Sequence, residues 1–297
     1  MDPAAFTVIT LAATVPIALT ALGEVLAERS GVVNIGLEGI LLFSAWAGAY
    51  TALTTGSWTL ALLAGTGMGA VLGLLHAVIA VYLRGDQIIA GVGLNMVAAG
   101  ATILLTYAAW GNYGNSPPIP EEARPPAVTV AGLRLSVMVP ATFLIGVILW
   151  YLLDKTRIGL TIRAVGDDPK SADALGISVE RVRLAATILG AALAGLAGAY
   201  MSVDYQGGFA KLMSAGRGFI ALADVAFSGW NPLGALLGAL VFGASDAAAR
   251  YYSITTQATA NSYLFNTIPY IVTLLAVAVT ARRAKMPQAL GRPYKRE

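Results

Sequence analysis

Cysteine is absent from the 297 residues, and histidine occurs once, at His76. The first absence excludes disulfides, zinc–thiolate centres and thiol nucleophiles; the second excludes any multi-histidine metal site. Charge is scarce too. Asp, Glu, Lys and Arg make up 12% of the chain, against the ~25% of a soluble domain. No HExxH, GxSxG or GxxxxGK[ST] sequence is present, and no run of acids is spaced for a metal, so no enzyme constellation is visible and no cofactor is implied. The missing phosphate loop means that any ATP drive has to come from another chain. A net charge of +3, collected between apolar runs, gives no basis for nucleic-acid binding. The first residues, MDPAAF, lack the basic n-region of a secretory signal, so the first apolar run is expected to stay in the protein as a span.

What the chain has is apolar length. Hydrophobic residues make up 57% and mean hydropathy is +0.71. Runs near the roughly 20 residues that cross a bilayer fall at about 5–27, 32–54, 58–83, 88–110, 136–153, 184–203, 232–252 and 262–281. A ninth candidate, Phe219–Gly229, is short and carries Asp224. The expectation is an all-α polytopic membrane protein, one transmembrane domain over 1–297, with eight long spans plus one short broken helix. Parity supports counting the ninth: if the 154–183 segment and the basic tail share the cytoplasmic face, an even number of crossings separates them. Fourteen of the nineteen Lys and Arg then lie inside, which satisfies the positive-inside rule and puts the N-terminus outside and the C-terminus in the cytoplasm. The Pro-rich 111–135 stretch reads as an external loop.

The only long charged segment between apolar runs is DKTRIGLTIRAVGDDPKSADALGISVERVR, residues 154–183. Its middle predicts a short helix, with Asp168 as N-cap, Pro169 at the first position and Gly176 just past the end. A second helix start follows at Ser178. A capped knob bearing Ala172, Leu175 and Ile177 is therefore expected outside the membrane; the plainer reading is a solvated tether between two spans. A faint internal repeat accompanies it. LAAT recurs at 11–14 and 184–187, VNIGLEGI around Glu38 is echoed by FIALADVA around Asp224, and VLGLLHAV around His76 by VFGASDAA around Asp246. In the expected topology the halves run in opposite directions, as inverted repeats that place a site between them.

Polar residues inside apolar runs are costly, about 2.5–3.5 kcal/mol for a central carboxylate, so each needs a partner or a function. Asp246 could pair with Arg250 one turn later. Glu38 and Asp224, beside Gly-rich sequence, are expected to brace broken helices near a path. Asn34 and Asn95 are candidates for substrate contact, since each presents a donor and an acceptor without a charge; the alternative is that they bridge helices. His76 reads as packing. Phe43, Trp46, Tyr107 and Phe219 could stack on a ring-bearing substrate or simply pack. Small residues at turn spacing (Gly65, Gly69, Gly73; Gly190, Ala194, Gly198; Gly234, Gly238) read as close helix contacts.

Four stretches together resemble one family: ERSGVVNIGLEGILLFSAWAGAY, IIAGVGLNMVAAGATILL, TRIGLTIRAVGDDPKSADALGISVERVR and GFIALADVAFSGWNPLGALLGALVFG. They are similar to inner-membrane permeases of the ribose/branched-chain amino acid ABC-importer family, and within it to nucleoside, simple-sugar-type permeases. The resemblance covers about Glu28 to Thr280. It implies a type II ABC-importer-like fold and three partners besides the lipid bilayer: a second, related permease in a heterodimer, an ATP-binding cassette ATPase, and an extracytoplasmic substrate-binding lipoprotein. It also implies an ATPase-coupling role for Arg163, Asp167, Asp168, Pro169, Ala172, Asp173, Leu175, Gly176 and Ile177, while the polar and aromatic residues weighed above put the expected substrate path near Asn34, Glu38, Asn95, Phe43 and Asp224. An ion-coupled carrier for a small polar solute and an importer of a simple sugar are the alternatives.

Overall fold

The computed structural model describes residues 3–256, 271 and 286–295. The eighth apolar run, 262–281, lies outside them apart from Ile271, as does the side chain of Arg250. The described chain is mostly helical. Among the described residues, six helices are long and apolar enough to cross a membrane. They are α1 (Pro3–Arg29), α3 (Trp58–Ala77) with its π-helical extension to Tyr82, α4 (Gln87–Trp110), α5 (Met138–Lys155), α8 (Val179–Tyr200) with a π turn to Tyr205, and α10 (Pro232–Thr256). Shorter helices complete the set: α2 (Leu37–Thr55), α6 (Arg157–Asp167), α7 (Pro169–Ala174) and α9 (Arg217–Phe227).

An all-α description needs one correction. The 111–135 region is an ordered cap holding an antiparallel hairpin, β1 (Ala127–Val130) with β2 (Leu133–Ser136). The two-residue turn between them, Ala131–Gly132, has φ of 51° and 73°, the left-handed pair that matches the twist of two strands. The cap packs on the chain after α8 through Ser116 N to Phe209 O and Ile119 N to Gly207 O, 2.9 and 2.8 Å.

Glycine decides which helices touch. A methyl on Gly23 of α1 would sit 2.2 Å from the carbonyl oxygen of Gly190 in α8, and one on Gly190 would sit 2.3 Å from that of Gly23. Gly69 of α3 and Gly195 of α8 meet in the same way. The glycine stripes are thus the seams along which α8 lies against α1 and α3, where van der Waals contact replaces a hydrophobic drive that lipid cannot supply. Helix α10 packs on α1, and α2 fits between α3 and α8. Two main apolar clusters fill the bundle, one around Leu41, Tyr200 and Phe209, the other around Leu22, Leu153 and Phe242.

The second apolar run is not helical from its start. Residues 30–36 run as turns and coil before α2 begins at Leu37. The short ninth run is broken as well. Lys211 N bonds Gly114 O at the hairpin end, while Trp230 O accepts from Arg29 Nε at the other. Residues 211–230 therefore connect the two ends of the bundle, the first part as turns and the second as the 11-residue α9. Two discontinuous segments, one in each half of the sequence, meet inside the protein.

Candidate functional site

Non-helical backbone inside a membrane bundle must have every N–H and C=O satisfied by protein, and this requirement explains the polar residues around 30–36. Asn34 N donates to Glu24 Oε1 at 2.7 Å, and Val33 N donates to Gln87 Oε1 at 2.8 Å. His76 Nε2 donates to Val33 O at 2.9 Å, Asn95 Nδ2 to Ile35 O at 2.9 Å, and Arg183 Nε to Ser30 O at 3.2 Å. The Asn34 side chain closes the turn by accepting from Gly36 N, and Asn95 Oδ1 accepts from Gly39 N at 2.7 Å. Five side chains from α1, α3, α4 and α8 thus splint one coil. The two asparagines expected to face substrate are spent on backbone, and Asn34 is only 1% exposed. His76 packs as expected, and its ring also holds the splint.

Glu38, in the first turn of α2, joins this segment to the other broken one. Its Oε1 accepts from Gly216 N at 2.7 Å and its Oε2 from Gly218 N at 2.8 Å. These are amides of the first turn of α9, which no intrahelical carbonyl can reach, and a carboxylate there also meets the positive end of the helix dipole. Close approach requires glycine, because a methyl on Gly218 would lie 2.4 Å from Glu38 N. Gly216, the N-cap, sits at φ 81°. The brace expected of Glu38 is therefore present, and its partner is backbone.

Asp224 does not mirror Glu38. It lies two turns into α9, fully buried, with its carboxyl against Gly238 of α10 and no hydrogen-bond partner for either oxygen among the described residues. The two acids therefore sit at different positions in their helices, Glu38 in the first turn of α2 and Asp224 in the third of α9. Asp246, for its part, meets Arg217 across helices, Oδ2 to Nη2 3.6 Å, and accepts from Tyr205 Oη at 3.3 Å. Arg217 is buried, and its Nη1 donates to the carbonyls of Met213 and Ser214. Phe43 lines an apolar cavity of about 330 Å³ with Leu72, His76 and Leu94. Trp46 stacks on Tyr50 and Tyr107 on Tyr113. Phe219 is half exposed one residue beyond Gly218.

A buried acid pair escaped notice in the sequence. Glu24 and Glu28, one turn apart on α1, are 1% and 6% exposed, and Glu24 is the carboxylate that accepts from Asn34 N. Glu28 accepts from Trp230 Nε1. The GEVLAE spacing carried the signal, hidden inside a span read only as apolar.

At the Arg29 end, the capped knob forms as expected. Asp168 accepts from Ser171 N at 3.2 Å, Pro169 opens α7, and Gly176 follows at φ 83°. The Ser171 hydroxyl and N–H together hold the Asp168 carboxyl below the usual carboxylate range. The expected apolar face is corrected, however. Ala172 is 2% exposed and packs with Val165, Val179 and the half-buried Ile177, so these residues fasten the knob to α6 and α8. Leu175 alone projects, 82% exposed, with Asp167, Asp168 and Gly176 also exposed around it. Arg163 approaches Asp154 at 4.0 Å, and Asp173 accepts from Tyr294 Oη at 3.0 Å. A helix absent from the expectation, α6, leads into the knob; its TRIGLTIRAVGD run is capped by Thr156, whose hydroxyl accepts from Gly159 N.

The family described as branched-chain amino acid transport system / permease component matches residues 6–277. The chain belongs to that family. This permease is similar to the guanosine ABC transporter permease protein NupQ of Bacillus subtilis, 36% identical over 96% of this chain and 94% of that protein. It is 35% identical to the nucleoside ABC transporter permease protein NupC of Lactococcus lactis, over 94% and 93%. A putative glucose ABC transporter permease, TsgC13 of Haloferax volcanii, is 30% identical over 97% and 96%. Kinship of this extent places the permease among subunits of ABC transporters and displaces the ion-coupled carrier.

Proposed function

We propose that this chain is the transmembrane permease subunit of an ATP-driven nucleoside importer, working beside a second, related permease, an ATP-binding cassette ATPase and an extracytoplasmic binding lipoprotein. The observation that carries the reading is identity of 36% and 35%, over nearly the whole chain, to permeases named for guanosine and nucleosides. In this reading the protein is a multi-pass protein of the cell membrane with about nine crossings in two inverted halves. Placement of α6, α7 and residues 286–295 at one end, with Arg29, Arg157, Arg163 and Arg181, supports a cytoplasmic C-terminus.

Two devices follow. The 165–178 segment is the part the ATPase grips, with Leu175 as its apolar tip and Asp167 and Asp168 as its polar rim; Ala172 and Ile177 make the grip rigid by anchoring it from within. The Glu38 contact with α9 is the joint between the two broken segments, beside the path. The solute passes along surfaces this joint can open, with Phe219 exposed next to it.

Reconstitution with the companion ATPase, second permease and lipoprotein tests the reading: guanosine and other nucleosides should enter proteoliposomes on ATP addition, and glucose should not compete. Glucose uptake without nucleoside uptake would instead make it a sugar importer. Leu175→Arg should leave the permease folded and inserted yet cut nucleotide-driven uptake by at least tenfold, since burying an unpaired charge at a protein contact is costly. Unaltered uptake in that variant refutes the coupling assignment.

A further inference from the structure

Residues 286–295, the described part of the basic tail, are tied into the bundle at four points. Ala289 N donates to Gly166 O of α6 at 2.9 Å, and Gly291 N donates to Gly31 O at 3.1 Å. Arg292 O accepts from Arg183 Nη1 at 2.8 Å, and Tyr294 Oη donates to Asp173 Oδ2 of α7 at 3.0 Å. The node is Arg183 in the second turn of α8, 1% exposed, which donates through Nε to Ser30 O and through Nη1 to Arg292 O. Its planar, always charged fork reaches two carbonyls from two chain segments at once, a geometry lysine cannot reproduce. Gly31, at φ 97°, lets the guanidinium close in; a methyl there would be 2.7 Å from Nη2.

These bonds lie in series. Asp173 and Tyr294 join the short capped helix to the tail. Ala289 and Gly291 join the tail to α6 and to the Ser30–Gly31 turn. That turn opens the splinted coil 30–36, which ends at α2 and, through Glu38, at the first turn of α9. The tail also walls the other side of the coil, where Gly291 and Pro293 line a cavity of about 350 Å³ together with Val33, Ile35, Arg84 and Gln87.

We propose that residues 286–295, locked by Arg183, form a strap that carries displacement of α7 to the broken segment before α2, and that Arg183, Tyr294 and Asp173 are positioning residues for transport. The proposal rests on reading α7 as the ATPase-facing helix. A structural filler would stabilise the fold without affecting the ratio of uptake to hydrolysis. A strap sets that ratio.

The test uses the complete complex in proteoliposomes and measures ATP hydrolysis and nucleoside uptake on the same preparation. Tyr294→Phe, Arg183→Lys and a chain ending at residue 285 should each lower uptake per ATP hydrolysed by about tenfold, within the usual range of a coupling term, while complex assembly and hydrolysis persist. Because the protein has no cysteine, Asp173→Cys with Tyr294→Cys permits one defined bridge by a short bismaleimide. A strap that travels with α7 tolerates this tether, so uptake per ATP should recover from the level of the unbridged double variant. An unchanged ratio in Tyr294→Phe and the shortened chain, or loss of transport on bridging, overturns the strap. Failure of the reading it rests on looks different: there Leu175→Arg leaves assembly and uptake unchanged.

Discussion

Replacing Glu38 by Gln removes the charge and one of two acceptors while keeping size and shape. In the structure both carboxylate oxygens are used, by Gly216 N and Gly218 N at 2.7 and 2.8 Å. An amide oxygen can serve one of these, but its NH2 then faces the other N–H, donor to donor. The loss is one hydrogen bond to a charged group, about 1.5–3 kcal/mol, and a favourable charge at a helix start, about 0.3–1 kcal/mol. Together these come to roughly 2–4 kcal/mol. Arg217 and its contact with Asp246 remain, so the break is local and α9 should stay in place while its first turn opens more often. Amide hydrogen exchange over residues 214–220 reads that opening, and at 1.4 kcal/mol per factor of ten the rate should rise roughly 30- to 700-fold. Exchange elsewhere, for instance in α8, should hold. Glu38→Ala, which leaves two amides without acceptors, should exchange at least as fast. A folded Glu38→Gln protein with unchanged exchange at 214–220 would refute the joint, and with it the view that the two broken segments are fastened by this carboxylate.

Gly190→Ala should force α1 and α8 apart, because the new methyl falls 2.3 Å from Gly23 O; the expected loss is about 1–3 kcal/mol, seen as a lower melting temperature in detergent. Gly67→Ala on α3, with nothing within 4 Å, should hold or gain up to ~1 kcal/mol and serves as its control. Asp224→Asn should keep or raise thermal stability, since no partner for its oxygens exists among the described residues and a neutral amide costs less to bury than a carboxylate; a fall of several degrees would reveal a partner. At α7, the Asp168 carboxyl is held below its ordinary range by Ser171, so its cap is fully present above the ordinary aspartate pKa of about 3.9 and is lost as pH falls through the lowered value. Ser171→Ala should move that loss to higher pH, measurable as the acid onset of proteolysis at residues 167–176.

The extent of the membrane class, most helix positions and the caps of α7 were set by the chain's own chemistry, because apolar length, an Asp-Pro start and a Gly stop act over a few neighbouring residues. The VTVAGLRLS alternation also carried a hairpin that an all-helical expectation passed over. What residues alone could not settle was the use of each buried polar group. Asn34 and Asn95 have the same composition whether they meet a solute or a backbone, and only the tertiary structure shows the bonds they make to the backbone of residues 35, 36 and 39. Glu24 and Glu28 vanished into an apolar run, and no local pattern showed that Arg217 would be buried beside Asp246. The same holds for the knob. Its capping was local and readable, whereas the inward turn of Ala172 depends on α6 and α8 arriving beside it. Short-range sterics and hydrogen bonds fix where a helix begins and ends; which carbonyl an arginine reaches 109 positions away, as Arg183 reaches Arg292, is fixed by packing that no window of sequence contains.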